Sequence, residues 1–326
     1  MSKRPPIIWA VSDGRAGIER QAIALANAII DHVGGSLQIV RLTPKGAQMM
    51  LPPNMWLDPI GALPSEQKAF FEGEMPDIWI ANGRRSIAYS LWVKKHFPKV
   101  LTAQIQNPKI PSKNFDYVVA PKHDQVKGDN VFETLGGLVY YSDAEITAAK
   151  AQFSARTTGN RYLVILGGNS KTHKFTQKNA LEILDYLRGL SQKDTSLWIT
   201  TSRRTPPEIS SQFRAFAAAN KFMFFENQEK DGANPYLSWL CHATHAIITE
   251  DSANMLADAA FFRLPITLIK LEGGSKKFDR LHRSFVDCGA AKWVEGNPKP
   301  WNYENPNDVY KIASAIVSDW QTRQIS

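Results

Sequence analysis

Tyr162-Leu163-Val164-Ile165-Leu166-Gly167-Gly168-Asn169-Ser170-Lys171 reads as a buried strand ending in a glycine turn. Its apolar run has no alternating polar face, as expected for a strand of a parallel sheet covered on both sides. An amphipathic helix follows, with Ala180, Ile183, Leu184, Leu187 and Leu190 on one stripe. Strand-like segments at 197–200, 222–225, 246–249 and 266–269 continue the rhythm. The chain opens in the same way. Ile7-Ile8-Trp9-Ala10-Val11 is a strand, and Ile18, Ala22, Leu25, Ala26, Ile29 and Ile30 form the next helical stripe. Further strands are expected at 37–42, 77–81, 100–105 and 117–120, with a helix over 86–95. Such βαβ alternation predicts an α/β protein with parallel sheets.

The rhythm breaks once, at a polar stretch ending in Arg156-Thr157-Thr158-Gly159-Asn160. Two similar α/β halves are therefore expected, over 1–155 and 156–305. A last helix over 306–322 carries Val309, Ile312, Ala313, Ile316, Val317 and Trp320 on one stripe. That stripe must be buried; the sequence does not fix which half receives it, and a return to the first half, 1–155, is the arrangement entertained.

Composition narrows the class. With 326 residues, 43% of them hydrophobic, the chain is long enough for two domains and too apolar for disorder. Lys plus Arg number 39 against 31 for Asp plus Glu, a formal charge of +8 that favours anionic partners. Nucleic acid is set aside, because no recognition motif or aromatic-basic interleaving accompanies the charge. Cys241 and Cys288 build neither a disulfide framework nor a zinc pattern. The apolar stretch 7–11 is too short for a secretory signal, and no run reaches the roughly 20 apolar residues of a membrane span. A cytoplasmic protein is expected, peripheral on the inner face of a membrane if it meets one. Segment 46–64 bears on that point, since it combines Met49, Met50, Leu51, Met55, Trp56, Leu57, Ile60 and Leu63 with four prolines. It reads first as a loop packed on its own domain. Its functional reading is an anionic-membrane or lipid-acceptor surface with Trp56 at the interface.

Several chemistries are excluded by missing motifs. The dinucleotide fingerprint G-x-G-x-x-G, the Walker A loop, H-E-x-x-H, G-x-S-x-G and Asp-x-Asp are all absent. No metal ligand set and no cofactor are expected.

What remains is a set of strand-to-helix loops, where open α/β sheets bind ligands. Ser12-Asp13-Gly14-Arg15-Ala16-Gly17 joins the first strand to the first helix. Gly14 and Gly17 allow a tight turn, and Asp13 is a candidate general base, unless it or Ser12 caps the helix. Arg84 and Arg85, in Asn82-Gly83-Arg84-Arg85-Ser86, oppose the dipole of the helix they precede, which points to an anion there. In the second half, Gly167, Gly168, Asn169, Ser170 and Lys171, with His173 nearby, suggest an amide nest for phosphate. Ser202, Arg203 and Arg204 lie before Thr205-Pro206-Pro207-Glu208, which reads as a capping box. The two guanidinium groups would clamp a diphosphate. Glu250-Asp251-Ser252 opens a short helix on which Ser252, Met255 and Asp258 share one side, placing Asp258 for a ribose hydroxyl. Gln106-Asn107-Pro108 and His123-Asp124 complete the first half, with His123 a second candidate base.

These strings, in this order, resemble the mitochondrial-fission ELM-type family over nearly the whole chain. Thr201-Ser202-Arg203-Arg204-Thr205-Pro206 and Glu250-Asp251-Ser252 are the most specific of them. Bacterial members are regarded as candidate glycosyltransferases. The resemblance implies a GT-B architecture: two Rossmann-like domains with parallel sheets facing a central nucleotide-sugar cleft. It also implies a metal-independent reaction with a nucleotide-diphosphate sugar as donor. The donor would bind at 167–171, 202–204 and 250–258. The acceptor side would use Gly14, Arg15, Gly17, Arg84, Arg85, Gln106, Asn107 and Asp124, and the acceptor hydroxyl could belong to a lipid-linked or glycan molecule. A nucleotide-sugar epimerase shares this architecture. A non-catalytic scaffold recruiting membrane-remodelling partners is the alternative from another class.

Overall fold

The computed structural model describes residues 4–152, 159–191, 194–304 and 308–324. The connection expected at Arg156-Thr157-Thr158 lies outside them. The chain divides into two compact units, Met1–Tyr140 with Asn307–Ser326, and Tyr141–Pro306.

The first unit runs β1 (Ile7–Ser12), α1 (Ala16–Val33), β2 (Ser36–Arg41), α2 (Ser65–Lys68), β3 (Ile78–Asn82), α3 (Ser86–His96), β4 (Leu101–Ile105), β5 (Tyr117–Pro121) and β6 (Val131–Thr134). Its six strands form one sheet in the order β2-β1-β3-β4-β5-β6, with every neighbouring pair parallel. Both faces are buried, so β1 contributes residues to two cores. Ile8 and Ala10 pack with Leu25 and Ile29 of α1 on one side, while Trp9 and Val11 pack with Tyr89 and Val93 of α3 on the other.

The second unit runs α4 (Asp143–Gln152), β7 (Asn160–Leu166), β8 (His173–Lys174), α5 (Gln177–Leu190), β9 (Thr195–Thr201), α6 (Pro207–Ala219), β10 (Met223–Phe225), α7 (Gln228–Asp231), α8 (Tyr236–His242), β11 (His245–Thr249), α9 (Ala253–Phe261), β12 (Ile266–Ile269), β13 (Glu272–Gly273), α10 (Lys276–Asp287) and β14 (Ala291–Trp293). Its parallel sheet has the order β10-β9-β7-β11-β12-β14, and β8 pairs antiparallel with β13 outside it. The chain leaves β7 first to one side and later returns to the other, as in a nucleotide-binding Rossmann sheet. One face packs Val164, Leu166 and Ile199 against Ile183, Leu187 and Phe213. Trp198 stacks on Trp239 at a centroid distance of 6.2 Å.

Two details differ from the sequence expectation, and a third concerns the last helix. The first boundary lies after Tyr140 rather than at 155, because α4 packs on α8, with His242 Nε2 3.2 Å from the Lys150 carbonyl. The last helix, α11 (Val309–Arg323), closes the first unit by packing its stripe beside α1. Arg323 Nη2 donates to Asp116 Oδ1 at 2.8 Å, and the Tyr117 hydroxyl donates to the Ala315 carbonyl at 3.3 Å. Within segment 46–64, Trp56 does not stand at an interface: it is buried with Leu63 in the first unit's core.

Candidate functional site

In each unit the first strand has neighbours reached in opposite chain directions, and loops at such a switch point are where open α/β sheets hold ligands. In the second unit that point lies between β7 and β11, where the 167–171 and 250–258 loops meet. The loop after β9, 202–206, adjoins them.

A buried lock joins the three loops. The Asp251 carboxylate, with no exposed side-chain surface, pairs with Arg204, whose Nη2 lies 2.7 Å from Oδ2. The same Oδ2 accepts from the Gly168 amide at 2.9 Å, and Oδ1 accepts from the Thr249 hydroxyl at 2.8 Å. Thr249 Oγ1 in turn accepts from the Gly167 amide at 2.7 Å. Both glycines are required by space. A Cβ on Gly167 would stand 1.9 Å from Asp251 Oδ1, and one on Gly168 would stand 2.1 Å from the Arg204 backbone.

That lock changes the role expected for 167–171. Four successive amides donate inward: Gly167 to Thr249, Gly168 to Asp251, Asn169 to the Arg204 carbonyl at 3.0 Å, and Ser170 to the His173 carbonyl at 2.9 Å. A nest of amides open to phosphate is not formed over 167–170, because the protein's own acceptors already satisfy them. The arginine pair is divided as well. Arg204 is committed to Asp251, while Arg203, like Lys171, is exposed. The expected capping box is absent too. Pro206 is the N-cap of α6 with no side-chain bond, and the Thr205 hydroxyl donates to the Gly167 carbonyl and accepts from the Ser202 amide at 2.9 Å. Thr205 belongs to the lock because its backbone turns toward the end of β7 before α6 begins.

At the start of α9, neither Asp251 nor Ser252 caps the helix through its side chain. By contrast, Thr176 caps α5 and Ser275 caps α10. The first amides of α9 therefore lie beside the lock without a side-chain cap from Ser252. Glu250 is buried, which pushes its pKa up against the hydrogen bond it accepts from the Leu271 amide. His282 of α10 sets Nε2 2.8 Å from the Glu250 carbonyl and Nδ1 3.7 Å from its carboxylate, and burial pushes this imidazole down. His173 is buried as well and shifted down by that burial, with Nδ1 3.0 Å from the Thr172 hydroxyl. Asp258 is buried within the unit, where the Tyr236 hydroxyl donates to it at 3.2 Å, and Met255 is half-buried.

In the first unit the switch point lies between β1 and β3, and it gathers Ser12–Gly17 with Asn82–Ser86. Neither Ser12 nor Asp13 caps α1. The Ser12 hydroxyl donates to Glu19 at 3.0 Å and accepts from the Gly14 amide at 3.0 Å. Asp13 takes both its oxygens to Arg15 Nε at 3.0 Å. Burial alone would raise the Asp13 pKa, but the hydrogen bonds and charge of Arg15, helped by Arg85, hold it below the ordinary carboxylate value. Gly83 adopts φ +100°, the left-handed region natural to glycine, and lies against Ile18 of α1. Arg84 and Arg85 are exposed at the start of α3. Gln106 has φ +67°, and Asn107 donates to the Asp124 carbonyl at 3.2 Å. That bond ties the 106–108 loop to the His123-Asp124 turn. His123 Nε2 lies 3.8 Å from Asp124 Oδ1.

Sequence reasoning placed Thr249 at the head of the Glu250-Asp251-Ser252 string without a role of its own, passed over His282, and gave Thr205 a different role. Thr249 carried a signal, a hydroxyl on the last strand residue two positions before an acid. Nothing local marked His282, which reaches Glu250 from α10. Among the described residues, no group of three or more His, Cys, Asp and Glu side chains is placed to hold a metal ion, and no helix is long and apolar enough to cross a membrane.

The profile of the family described as Mitochondrial fission ELM1 matches residues 16–320. The chain belongs to that family. An uncharacterized protein of Rickettsia prowazekii (strain Madrid E) is 26% identical over 79% of this chain and 82% of its own length. The mitochondrial fission protein ELM1 of Arabidopsis thaliana is 23% identical over 78% of this chain and 66% of its own length. Among solved structures, UDP-GlcNAc 2-epimerase from Methanocaldococcus jannaschii is similar at a TM-score of 0.57 and 13% identity, covering 96% of this chain and 99% of that one. The Neisseria meningitidis enzyme bound to UDP-GlcNAc is similar at a TM-score of 0.52 and 13% identity, covering 97% and 100%. At such identity the likeness is one of fold, and it places this ELM1-family member in the GT-B architecture.

Proposed function

We propose that this chain is a metal-independent GT-B glycosyltransferase that takes a nucleotide-diphosphate sugar in its second unit. The observation that carries the reading is the Asp251–Arg204–Gly168 lock, which holds three strand-end loops together at a Rossmann switch point. Beside it stand the uncapped start of α9 and the exposed Arg203 and Lys171, a set suited to the charge of a diphosphate. Structures of the same fold hold UDP-GlcNAc or UDP by name, which supports the ligand class.

In the transfer, the bond between the sugar's anomeric carbon and the diphosphate oxygen breaks, and a bond to the acceptor oxygen forms. The diphosphate leaves with its negative charge met by Arg203, Lys171 and the α9 dipole, in place of a metal ion. Asp13 accepts the acceptor's proton, with His123 as the alternative base. The low proton affinity that Arg15 gives Asp13 suits a late transfer, after the acceptor oxygen has begun bonding to carbon and its proton has become acidic.

A second reading is favoured by the names of the structural neighbours: epimerisation of the donor sugar. A thermal-shift series with nucleoside diphosphates and their sugars tests binding first. Product analysis then separates the readings. Nucleotide released only with an acceptor means transfer, and an epimerised sugar without an acceptor means epimerase. No turnover, together with unchanged behaviour of Arg203→Ala/Lys171→Ala, whose side chains are exposed and outside the lock, means a scaffold.

A further inference from the structure

Segment 46–64 divides its apolar residues between two destinations. Trp56 and Leu63 are buried, and the Trp56 ring meets Tyr89 edge-on at 6.2 Å. Met50, Leu51, Met55 and Leu57 are instead 87%, 44%, 55% and 100% exposed. Single exposed apolar residues are ordinary, but four within one short stretch, two of them almost wholly in water, are not.

The tip is held in place. Short 3-10 turns at Ala47–Met50 and Pro53–Met55 build it. Trp56 Nε1 donates to the Leu51 carbonyl at 3.3 Å, Gln48 Nε2 to the Asp58 carbonyl at 2.9 Å, and the Lys45 amide to the Ala62 carbonyl at 2.9 Å. Its exposed side chains are thus presented at a fixed cost already met by folding. Charge is patterned around them. Residues 46–57 contain no ionisable side chain, and the next acid, Asp58, is turned to the Gly61 amide at 2.7 Å. Arg84 Nη2 donates to the Leu51 carbonyl at 3.3 Å, which fixes a guanidinium at the base of the tip, and Lys45 and Arg85 are exposed next to it in sequence.

We propose that this tip inserts into the interface of an anionic lipid bilayer, with Met50, Leu51, Met55 and Leu57 among the acyl chains and Lys45, Arg84 and Arg85 at the headgroups. An uncharged apolar point with cations at its base is the pattern that interfacial insertion requires. Side chains standing free in water suit a fluid apolar layer better than the matched, close-packed surface of a protein partner. The +8 charge of the chain acts in the same direction. The inference stands without the catalytic reading. If both hold, docking brings lipid-linked acceptors to the loops of β1 and β3, whose Arg84 touches the tip.

The test is flotation of the full chain with vesicles of phosphatidylcholine alone or mixed with phosphatidylglycerol, using wild type and Met50→Ser/Leu57→Ser. Both substituted side chains are exposed, so an unchanged melting temperature is expected and is measured alongside. The wild type should float with the anionic vesicles, less so in high salt, and the variant should bind about tenfold or more weakly, given the apolar area removed. A wild type that stays with the unbound fraction, or a variant that floats equally well, overturns the proposal. So does a wild-type dimer in sedimentation that the variant dissolves while neither binds vesicles, since the tip would then be covering a second copy. A missing thermal shift with nucleotides would count against the transferase reading alone.

Discussion

At Asp251 a fully buried carboxylate accepts from the Gly168 amide and the Thr249 hydroxyl and is neutralised by Arg204, itself 41% exposed on its side chain. Taking Arg204 away leaves a buried charge with only neutral donors, which is costlier than losing the ion pair itself. Arg204→Ala is therefore expected to destabilise the second unit by about 2 kcal/mol, below the value for a wholly buried pair because Arg204 meets solvent. Adding Asp251→Asn should restore much of that loss, since a neutral amide can still accept from Gly168 without a counter-charge. Nucleotide binding should stay lost in both variants if the lock positions the loops. Chemical denaturation of the two variants, paired with thermal shifts in a nucleoside diphosphate, reads stability and binding separately. Equal stability of the single and double variants would show that the charge is not what Arg204 compensates.

Helix α11 illustrates the scale at which the chain's order in sequence and its order in space part company. Its buried stripe of Val309, Ile312, Ala313, Ile316, Val317 and Trp320 joins the core of the first unit. Asp116 pins its end, accepting from Arg323 Nη2 at 2.8 Å, from Lys94, and from the Thr102 amide at 2.9 Å. Burial alone would raise the Asp116 pKa, but Lys94, Arg323 and Thr102 hold it below its ordinary 3.8. A depressed folded-state value means that the ionised carboxylate stabilises the fold above pH about 4, and that this share is lost as pH falls through the folded-state value. Asp116→Asn should cost the first unit about 1–3 kcal/mol at neutral pH and flatten the acid limb of its stability profile, measured by urea unfolding between pH 3 and 7. The helix itself was legible in sequence because its 3.6-residue stripe is clean. Its partner was not, since Asp116 and Arg323 are about 200 positions apart and no local pattern links them. The same division runs through the elements. The long apolar strands β1 and β7 announce themselves, whereas the short edge strands β6 and β14 carry Glu133 and Lys292 and read as loops. At the site, the loops at both switch points were legible from glycines and charges after strands. The direction of the 167–170 amides was not, because Thr249 and Asp251, which claim two of them, come from the end of β11 and the loop after it, more than eighty positions away.

Over the whole chain, two sheets of six strands each carry their own cores, with strand orders that place a switch point in each unit. Stability should follow that division, because each unit has its own sheet and its own buried cores. The lock, the α9 start and the exposed Arg203 all belong to the unit Tyr141–Pro306, so the proposed reading puts the anion partners of a nucleoside diphosphate in that unit. Scanning calorimetry is expected to resolve two transitions, of which the one assigned to the second unit moves up with ligand. At a free concentration a hundred times Kd the gain is about 2.7 kcal/mol, the linkage value for one site on the native state. Assignment follows from variants confined to one unit: Asp116→Asn should lower only the ligand-insensitive transition, and Arg204→Ala only the other. If ligand raised the Asp116-sensitive transition instead, the anion site would lie at Arg15, Arg84 and Arg85. The first unit would then hold the diphosphate, and the roles proposed for the two halves would be exchanged.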